Sequence, residues 1–402
     1  MEKKMRILLA NETYSPWLNG CATFTQRLAQ NLAKKGHIVG VIAPAVKFDD
    51  HYEIDDCGVT IFRLRSLPTP KMIHPNFRVI TKPDINPAVK KIVGDFNPDI
   101  IHIQNHFSVG KACVKAAKKA GIPIVGTNHF MPENLTQFVP GFIGDTMMKV
   151  MWKDFLKVYN KLDYVTAPSK AAVQMLYNVG YKKEAAVISN GIEFDKFKKR
   201  PVSEKLLKKY NLKKDVATFI SVGRIEKDKN LDLVLEAFAK FLKKEKGQLI
   251  LVGNGKFERE FKRLARLLKI KNEVVFTGKI SDEELWEIYS LADVYIGAGT
   301  AELQGIAVME GMASGLPVLA VNAVALPELV EHGVNGYLFE LEVKDLTEKM
   351  LKIVEDREKL KEMAAHSLKI ISRHDKNVTI KQFEELYEKV IAEKRAKAPV
   401  QV

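Results

Sequence analysis

Two cations, two acids and a set of glycines stand in the C-terminal half at spacings that suit chemistry on an anion. Arg224 and Lys229 lie in SVGRIEKDKN (221–230). Gly253, Asn254 and Gly255 lie in VGNGKFERE (252–260), and Glu302 and Glu310 in TAELQGIAVMEGMASGLPVLA (300–320). Each stretch follows or flanks an apolar, strand-like run. Arginine offers a fixed fork of donors and lysine a point charge, so Arg224 and Lys229, placed after Gly223 at a strand end, suit a phosphate or the negative charge that develops on a departing diphosphate. Gly305 permits a close turn into a helix whose first amides can take phosphate oxygens. Glu310, on that apolar helix, needs a hydroxyl or basic partner, and a ribose diol would serve. Solvated surface for the cations and salt bridges for the acids are the plain alternatives. Together the residues suit an anionic, hydroxyl-rich ligand such as a nucleotide sugar.

Further candidates lie in the first half. Gly20, in SPWLNGCATF, is a small residue in a loop that can approach a diphosphate or sugar. His129 ends the run IPIVGTNHF and can donate a hydrogen bond to a sugar oxygen, with a structural histidine as the alternative. His102 and His106 have metal-like spacing, but they straddle a strand end and no third ligand stands out, so no metal site is expected.

These residues need a scaffold of strands and helices in alternation. The first half reads as RILLA (6–10), a helix over 23–35 stopped by Gly36, and IVGVIAP (38–44), with later strands over 59–64, 99–104, 122–128, 163–169 and 185–189. Helices over 110–120 and 170–179 fill gaps. After a charged stretch near 198–214, strands over 216–223, 248–253, 273–278, 294–298 and 317–321 alternate with helices over 231–243, 256–269, 282–290 and 305–314. Short strands separated by helices predict parallel sheets covered on both faces. The expected fold is α/β: two facing Rossmann-like domains, residues 1–197 and 198–375, with a ligand cleft between them. The last segment, 376–402, carries a helix whose Ile380, Phe383, Leu386, Tyr387 and Val390 form one stripe, expected to cross back towards the first domain.

The chain has 402 residues, 46% of them apolar, and a formal charge of +14. That charge allows nucleic acid, an anionic membrane or an anionic substrate. No zinc-finger spacing, aromatic RNA-binding strand or tandem arginine helix is present, which speaks against nucleic acid. Cys21, Cys57 and Cys113 are scattered, as in ordinary cytosolic thiols. No apolar run reaches membrane-spanning length. Met1–Lys4 leads straight into a strand, leaving no room for a signal peptide, so a cytoplasmic location is expected.

In GRIEKDKNLDLVLEAF, VGNGKFERE, VVFTGKI, the Glu302-x7-Glu310 segment and ALPELVEHGVNGYLF (325–339), the chain resembles the retaining glycosyltransferases of family four, which have the two-domain GT-B architecture. The resemblance covers essentially the whole chain. It implies that Arg224 and Lys229 contact the donor diphosphate, that Glu310 holds the ribose and that Glu302 faces the transferred hexose. Backbone amides at Leu303, Gln304, Gly305 and Ile306 would cap donor oxygens. Gly223 and Asn254 would line the donor site, and Phe276, Lys279 and Ile280 would lie beside the base. Gly20 and His129 would complete the site from the first domain. The implied co-substrate is a nucleotide-diphosphate sugar. No cofactor is required for the chemistry, and a divalent cation is at most stimulatory.

TAELQG and TNHFMPENL resemble the lipid-glycosylating branch, diacylglycerol glucosyltransferases in particular. That points to transfer of a hexose, glucose first, from a UDP-linked donor to a lipid hydroxyl. The same chemistry on a soluble sugar, a sugar phosphate or a phosphatidylinositol-type acceptor, or with GDP-mannose as donor, is the alternative. An epimerase, a phosphorylase and a donor-binding protein without transfer activity fit the residues less well. Residues 131–162 add a physical hint: Phe138, Phe142, Met147 and Trp152 mingle with Lys149, Lys153 and Lys157, as in an element lying on an anionic membrane. The first 194 residues hold 25 basic and 16 acidic residues, an excess of nine. Peripheral association with the inner face of the cell membrane is therefore expected.

Overall fold

A computed structural model describes residues 4–16, 19–46, 49–68, 78–81, 85–132 and 141–397. The chain divides into two compact units, one of Met1–Ser189 with Thr379–Val402 and one of Asn190–Val378.

The first unit is built on β1 (Arg6–Ala10), α1 (Gly20–Lys34), β2 (Ile38–Pro44), β3 (His51–Ile54), β4 (Thr60–Leu64), β5 (Ser66–Pro68), β6 (Arg78–Ile80), α2 (Asn86–Phe96) and β7 (Ile100–Ile103). It continues with α3 (Ser108–Ala120), β8 (Ile124–Thr127), α4 (Gly141–Tyr159), β9 (Tyr164–Ala167), α5 (Lys170–Asn178) and β10 (Ala185–Val187). Its eight-stranded sheet runs β10-β9-β8-β7-β1-β2-β4-β3. Seven strands are parallel, with Ile7 opposite Val39 on one side and Ile100 on the other. The exception corrects the all-parallel expectation: β3 pairs antiparallel with β4 at the edge. Its residues are largely exposed, so no apolar run marks it in the sequence. β5 and β6 pair separately.

The sheet's central strands are buried on both faces, which is why they read as unbroken apolar runs. Phe24, Leu28 and Leu32 of α1 pack into one face. Asn19 caps α1 by accepting from the Ala22 amide at 2.8 Å. The helix α13 (Lys376–Ala396) seats Ile380, Phe383, Leu386, Tyr387 and Val390 in the same core. The Phe383 and Phe24 rings lie 5.9 Å apart.

The second unit comprises α6 (Glu204–Tyr210), β11 (Ala217–Val222), α7 (Leu231–Phe241), β12 (Gly247–Val252), α8 (Glu258–Leu267), β13 (Val274–Gly278) and α9 (Asp282–Leu291). Then come β14 (Val294–Gly297), α10 (Ile306–Ala313), β15 (Val318–Val321), β16 (Gly336–Phe339), α11 (Val343–Glu355) and α12 (Arg357–Ile371). Its six strands, all parallel, run β13-β12-β11-β14-β15-β16. The chain therefore builds outward from β11 in one direction and from β14 in the other. That makes the β11/β14 boundary a topological switch point, where a doubly wound sheet opens a crevice at its strand ends. In the first unit the equivalent boundary lies between β1 and β7. Two Rossmann-like units in one chain are the GT-B pattern.

Candidate active site

The switch point of the second sheet collects the charged candidates. β11 ends at Val222, and Gly223 follows with φ +151°, a conformation that favours glycine. Arg224 emerges next, half exposed. A short turn, Lys227–Lys229, precedes Asn230, which adopts a left-handed conformation and launches α7. Asn230 Nδ2 donates to the Ala298 carbonyl at 2.7 Å, and the Thr300 amide donates to the Asp228 carbonyl at 3.1 Å. These bonds tie the loop after β11 to the loop after β14. Across the junction Lys229 Nζ lies 2.5 Å from Glu302 Oε1. Residues 73 positions apart thus meet, as the switch-point geometry requires.

Asp228 is the residue that motif reading missed. Its carboxylate is buried, and Oδ2 lies 3.4 Å from both Arg224 Nη2 and Lys229 Nζ. Burial by itself pulls the Lys229 ammonium down, but the Glu302 and Asp228 carboxylates hold it above the ordinary lysine value. In sequence, KDK looks like a solvated charge run; only the fold shows that the acid points inward.

The glycine turn after β12 packs against the Arg224 loop. A Cβ on Gly253 would stand 1.9 Å from the Gly223 carbonyl oxygen, and one on Gly255 2.2 Å from that of Ile225. Ile225 N also donates to Asn254 O at 3.0 Å. The two glycines let this loop pack on the Arg224 loop, so the close approach is backbone to backbone. Gly223 itself has open space where a Cβ would stand.

After β14, Gly305 takes φ +78° and opens α10, and a Cβ there would meet Leu326 at 2.6 Å. Leu303 is half-buried. The Gln304 side chain turns inward: Oε1 accepts from the Asn190 amide at 3.0 Å, and Nε2 lies 3.5 Å from His374 Nδ1. Glu310 is half-buried on α10 and accepts from the Tyr289 hydroxyl at 3.3 Å. The phenol is a hydroxyl partner of the kind a carboxylate on this apolar helix needs. Phe276, Lys279 and Ile280 stand at the end of β13, two strands from β11. Phe276 and Ile280 are half-buried and Lys279 is exposed.

In the first unit Gly20 is the first residue of α1, at the helix end beyond β1. His129 follows β8, with its Nε2–H donating to Gln104 Oε1 at 3.0 Å and its ring 4.9 Å from that of Phe24. Nε2 of His129 is thus engaged within the first unit. Burial pushes His129 down to about 3. His102, bonded to Tyr387 and Thr127, is pushed down to about 3, and His106 to about 4, burial again being the main cause. All three are neutral at physiological pH.

The unfolded histidines take up protons near their ordinary value of 6.5, and the folded ones refuse them until pH 3–4. Their stabilisation is complete above 6.5 and is lost as pH falls through that window, at about 1.4 kcal/mol per pH unit for each histidine. Denaturant midpoints of the first unit at pH 7, 6 and 5 should fall in that order. The rate of the reaction should show no limb from His129 near pH 6–7. Flat midpoints would remove the argument.

The proposed membrane residues separate. Phe142 is 77% exposed on α4, Lys153 is exposed and Met147 is half-buried. Phe138 lies outside the described residues. Trp152 is a correction: it is 7% exposed and packs its ring 5.3 Å from both Phe130 and Phe155. It is a core residue, held by a residue from beyond β8 that its own helical spacing does not reveal.

Among the described residues no group of three His, Cys, Asp or Glu side chains could hold a metal ion. No described helix is long and apolar enough to cross a membrane.

Comparison with known proteins agrees with this architecture. Residues 18–196 match the pattern of "Glycosyltransferase Family 4", and residues 202–369 that of "Glycosyl transferases group 1". The alpha-monoglucosyldiacylglycerol synthase of Streptococcus pneumoniae is 32% identical over 344 residues, 83% of this chain and 75% of that protein. The enzyme of the same name from Acholeplasma laidlawii is 27% identical over 95% of this chain and 96% of its own. The structure of Anabaena HepE in complex with UDP and glucose superposes with a TM-score of 0.75 at 22% identity, over 96% of this chain and all of that one, which shows a shared fold. The chain belongs to the GT-B glycosyltransferases of family four, and its activity is hexosyl transfer.

Proposed function

We propose that the protein moves a hexose, glucose in the first instance, from a UDP-linked donor to the hydroxyl of a lipid such as diacylglycerol, with retention of the anomeric configuration. The observation that carries the reading is the meeting of Arg224, Lys229 and Glu302 at the β11/β14 switch point, where the first two can hold a diphosphate and the third a sugar hydroxyl. Glu310, beside Tyr289, takes the ribose, and the amides that open α10 take phosphate oxygens. Gly223 leaves room for the diphosphate, and Asn254, on the adjoining turn, lines the same end of the sheet. Phe276, Lys279 and Ile280 flank the base, and Gly20 and His129 serve from the first unit.

In the reaction the bond from the anomeric carbon to the diphosphate oxygen breaks as the acceptor oxygen bonds to the same face. The hydroxyl proton passes to a phosphate oxygen of the leaving group. The protein's residues orient the partners and stabilise the departing charge. Glu302 and Glu310 act as binding groups, so no covalent glycosyl-enzyme intermediate is invoked. Two relatives, 32% and 27% identical over 83% and 95% of this chain, are named for a glucosylated diacylglycerol, which supports the lipid acceptor and the glucosyl donor.

The outward face of α4 supports membrane contact. At 3.6 residues per turn, Phe142, Ile143 and Val150 share one side of the helix with Lys149, Lys153 and Lys157. The three apolar residues and the three lysines are all exposed. A groove of about 680 Å³ along this helix is lined by these lysines, Lys161 and the edge of Trp152. Apolar insertion beside cations is what an anionic interface selects. The expected setting is the inner face of the cell membrane.

The enzyme should bind vesicles containing anionic lipid. Binding should fall as salt rises from 0.1 to 1 M, because the Debye length shrinks from about 10 Å to about 3 Å. Replacing the three lysines with glutamine should weaken it about a hundredfold, at roughly 1 kcal/mol per cation. A panel of nucleotide sugars with lipid and soluble acceptors, products identified by mass, tests the whole reading. Transfer to a soluble sugar or sugar phosphate with none to lipid, and no vesicle binding, would overturn the lipid acceptor.

A further inference from the structure

The charges at the β11/β14 switch point cancel. Arg224 pairs with Asp228, Asp228 with Lys229, and Lys229 with Glu302. Two cations face two carboxylates, so these four side chains offer an arriving diphosphate no net charge, and Lys229 is engaged until an acid gives way. Asp228 is held: its side chain is 6% exposed, and its backbone carbonyl accepts from Thr300. Glu302 is the more accessible acid: its side chain is 28% exposed, on the loop between Gly299 and Gly305. Gly299 leaves the space in which the pair sits, since a Cβ there would stand 3.2 Å from Glu302 Oε1 and 3.3 Å from Lys229 Cδ.

Resting on the donor-site reading above, we propose that Glu302 holds Lys229 in the unliganded enzyme and exchanges it for the donor diphosphate, the released carboxylate then accepting hydroxyls of the hexose. The contact is a stand-in for the ligand, with a carboxylate where a phosphate will lie. A complete donor satisfies both ends of the broken pair. A nucleoside diphosphate without its sugar satisfies only Lys229 and leaves Glu302, deprived of a donor, beside a second anion. The exchange therefore discriminates the sugar-bearing donor from the product of transfer and weakens the hold on that product once the hexose has gone.

The prediction runs against simple loss of function. Glu302→Gln removes the competitor for Lys229, so UDP should bind about three- to tenfold tighter, the worth of a partly exposed ion pair. UDP-glucose should lose its advantage over UDP, and transfer should fall. Calorimetric titration of the full chain with each ligand reads this directly, and thermal melting confirms that the variant is folded. Glu302→Ser serves in the same comparison if the glutamine variant does not fold. Adding Lys229→Met should abolish the gain, because the gain acts through that lysine. Tighter UDP binding that depends on Lys229 supports the exchange. UDP binding that Glu302→Gln leaves unchanged or weaker, or a gain that survives Lys229→Met, overturns the exchange and leaves the donor site standing. Failure of the wild-type chain to bind either UDP or GDP overturns the donor-site reading and the exchange with it.

Discussion

Replacing Lys229 with alanine is expected to lower turnover by roughly 10²–10³, the loss seen when one preorganised group facing a developing negative charge is removed. The structure ranks Lys229 above Arg224. Lys229 lies against both Asp228 and Glu302, and its ammonium is held above the ordinary lysine value. Removing it takes away a charge aimed at the diphosphate and also leaves two carboxylates sharing a pocket without their common cation. Arg224 is half exposed and touches Asp228 only at 3.4 Å, so water can replace part of its effect. Arg224→Ala should fall at the lower end, about 10². Steady-state rates of hexose transfer by folded variants check both values. Wild-type turnover in either would remove that residue from the charge-stabilising role.

The convergence that makes this prediction possible was only half legible. The strands could be read because parallel strands buried on both faces leave unbroken apolar runs, as in LILV before Gly253 and VYIG before Ala298. Their ends fell within a residue or two, and the site residues sit at those ends. Strand order was not legible. That β11 lies beside β14, so that Lys229 meets Glu302, follows from the crossover connections and not from any local pattern. The same limit hid Asp228, whose loop is tied to the one after β14 by Asn230 bonding to Ala298 and by the Thr300 amide bonding to the Asp228 carbonyl.

Other elements leave no signal in the sequence for local reasons. β3 is short, antiparallel and exposed, so it lacks both periodicity and an apolar run. The helices α11 and α12, with buried Leu346, Met350, Ile353, Met363 and Ile370, lie in a charge-rich stretch that motif reading passed over. Trp152 looked like an interfacial aromatic because lysines surround it in sequence. Two of them, Lys149 and Lys153, are exposed, whereas the indole turns inward to Phe130. The glycines after β12 mark a close approach by the backbone of Gly223 and Ile225, a contact between loops that no local pattern shows.

The Glu310→Gln substitution separates a ligand-binding acid from a structural one. Glu310 sits half-buried on a helix whose neighbours Met309 and Gly311 are buried, and the Tyr289 hydroxyl donates to it at 3.3 Å. Burial first, and then the nearby Glu310 charge, drive the Tyr289 phenol well above its ordinary value, so the phenol stays a donor at any working pH. One carboxylate oxygen thus has a donor from the protein, and a ribose diol would add its hydroxyls to the same group. Glutamine keeps the size and can still accept from Tyr289 through its carbonyl, so the fold should hold. What it loses is a charged acceptor for the diol, a loss of about 1.5–3 kcal/mol, or roughly 10–150-fold in donor affinity. Calorimetry with the nucleoside diphosphate measures it, with thermal melting as the control. Affinity unchanged in a folded variant would make Glu310 a structural helix acid, and the ribose would then need a different acceptor. A lowered melting temperature with unchanged affinity would say the same more strongly, because the acid would then be serving the packing of α10 against α9.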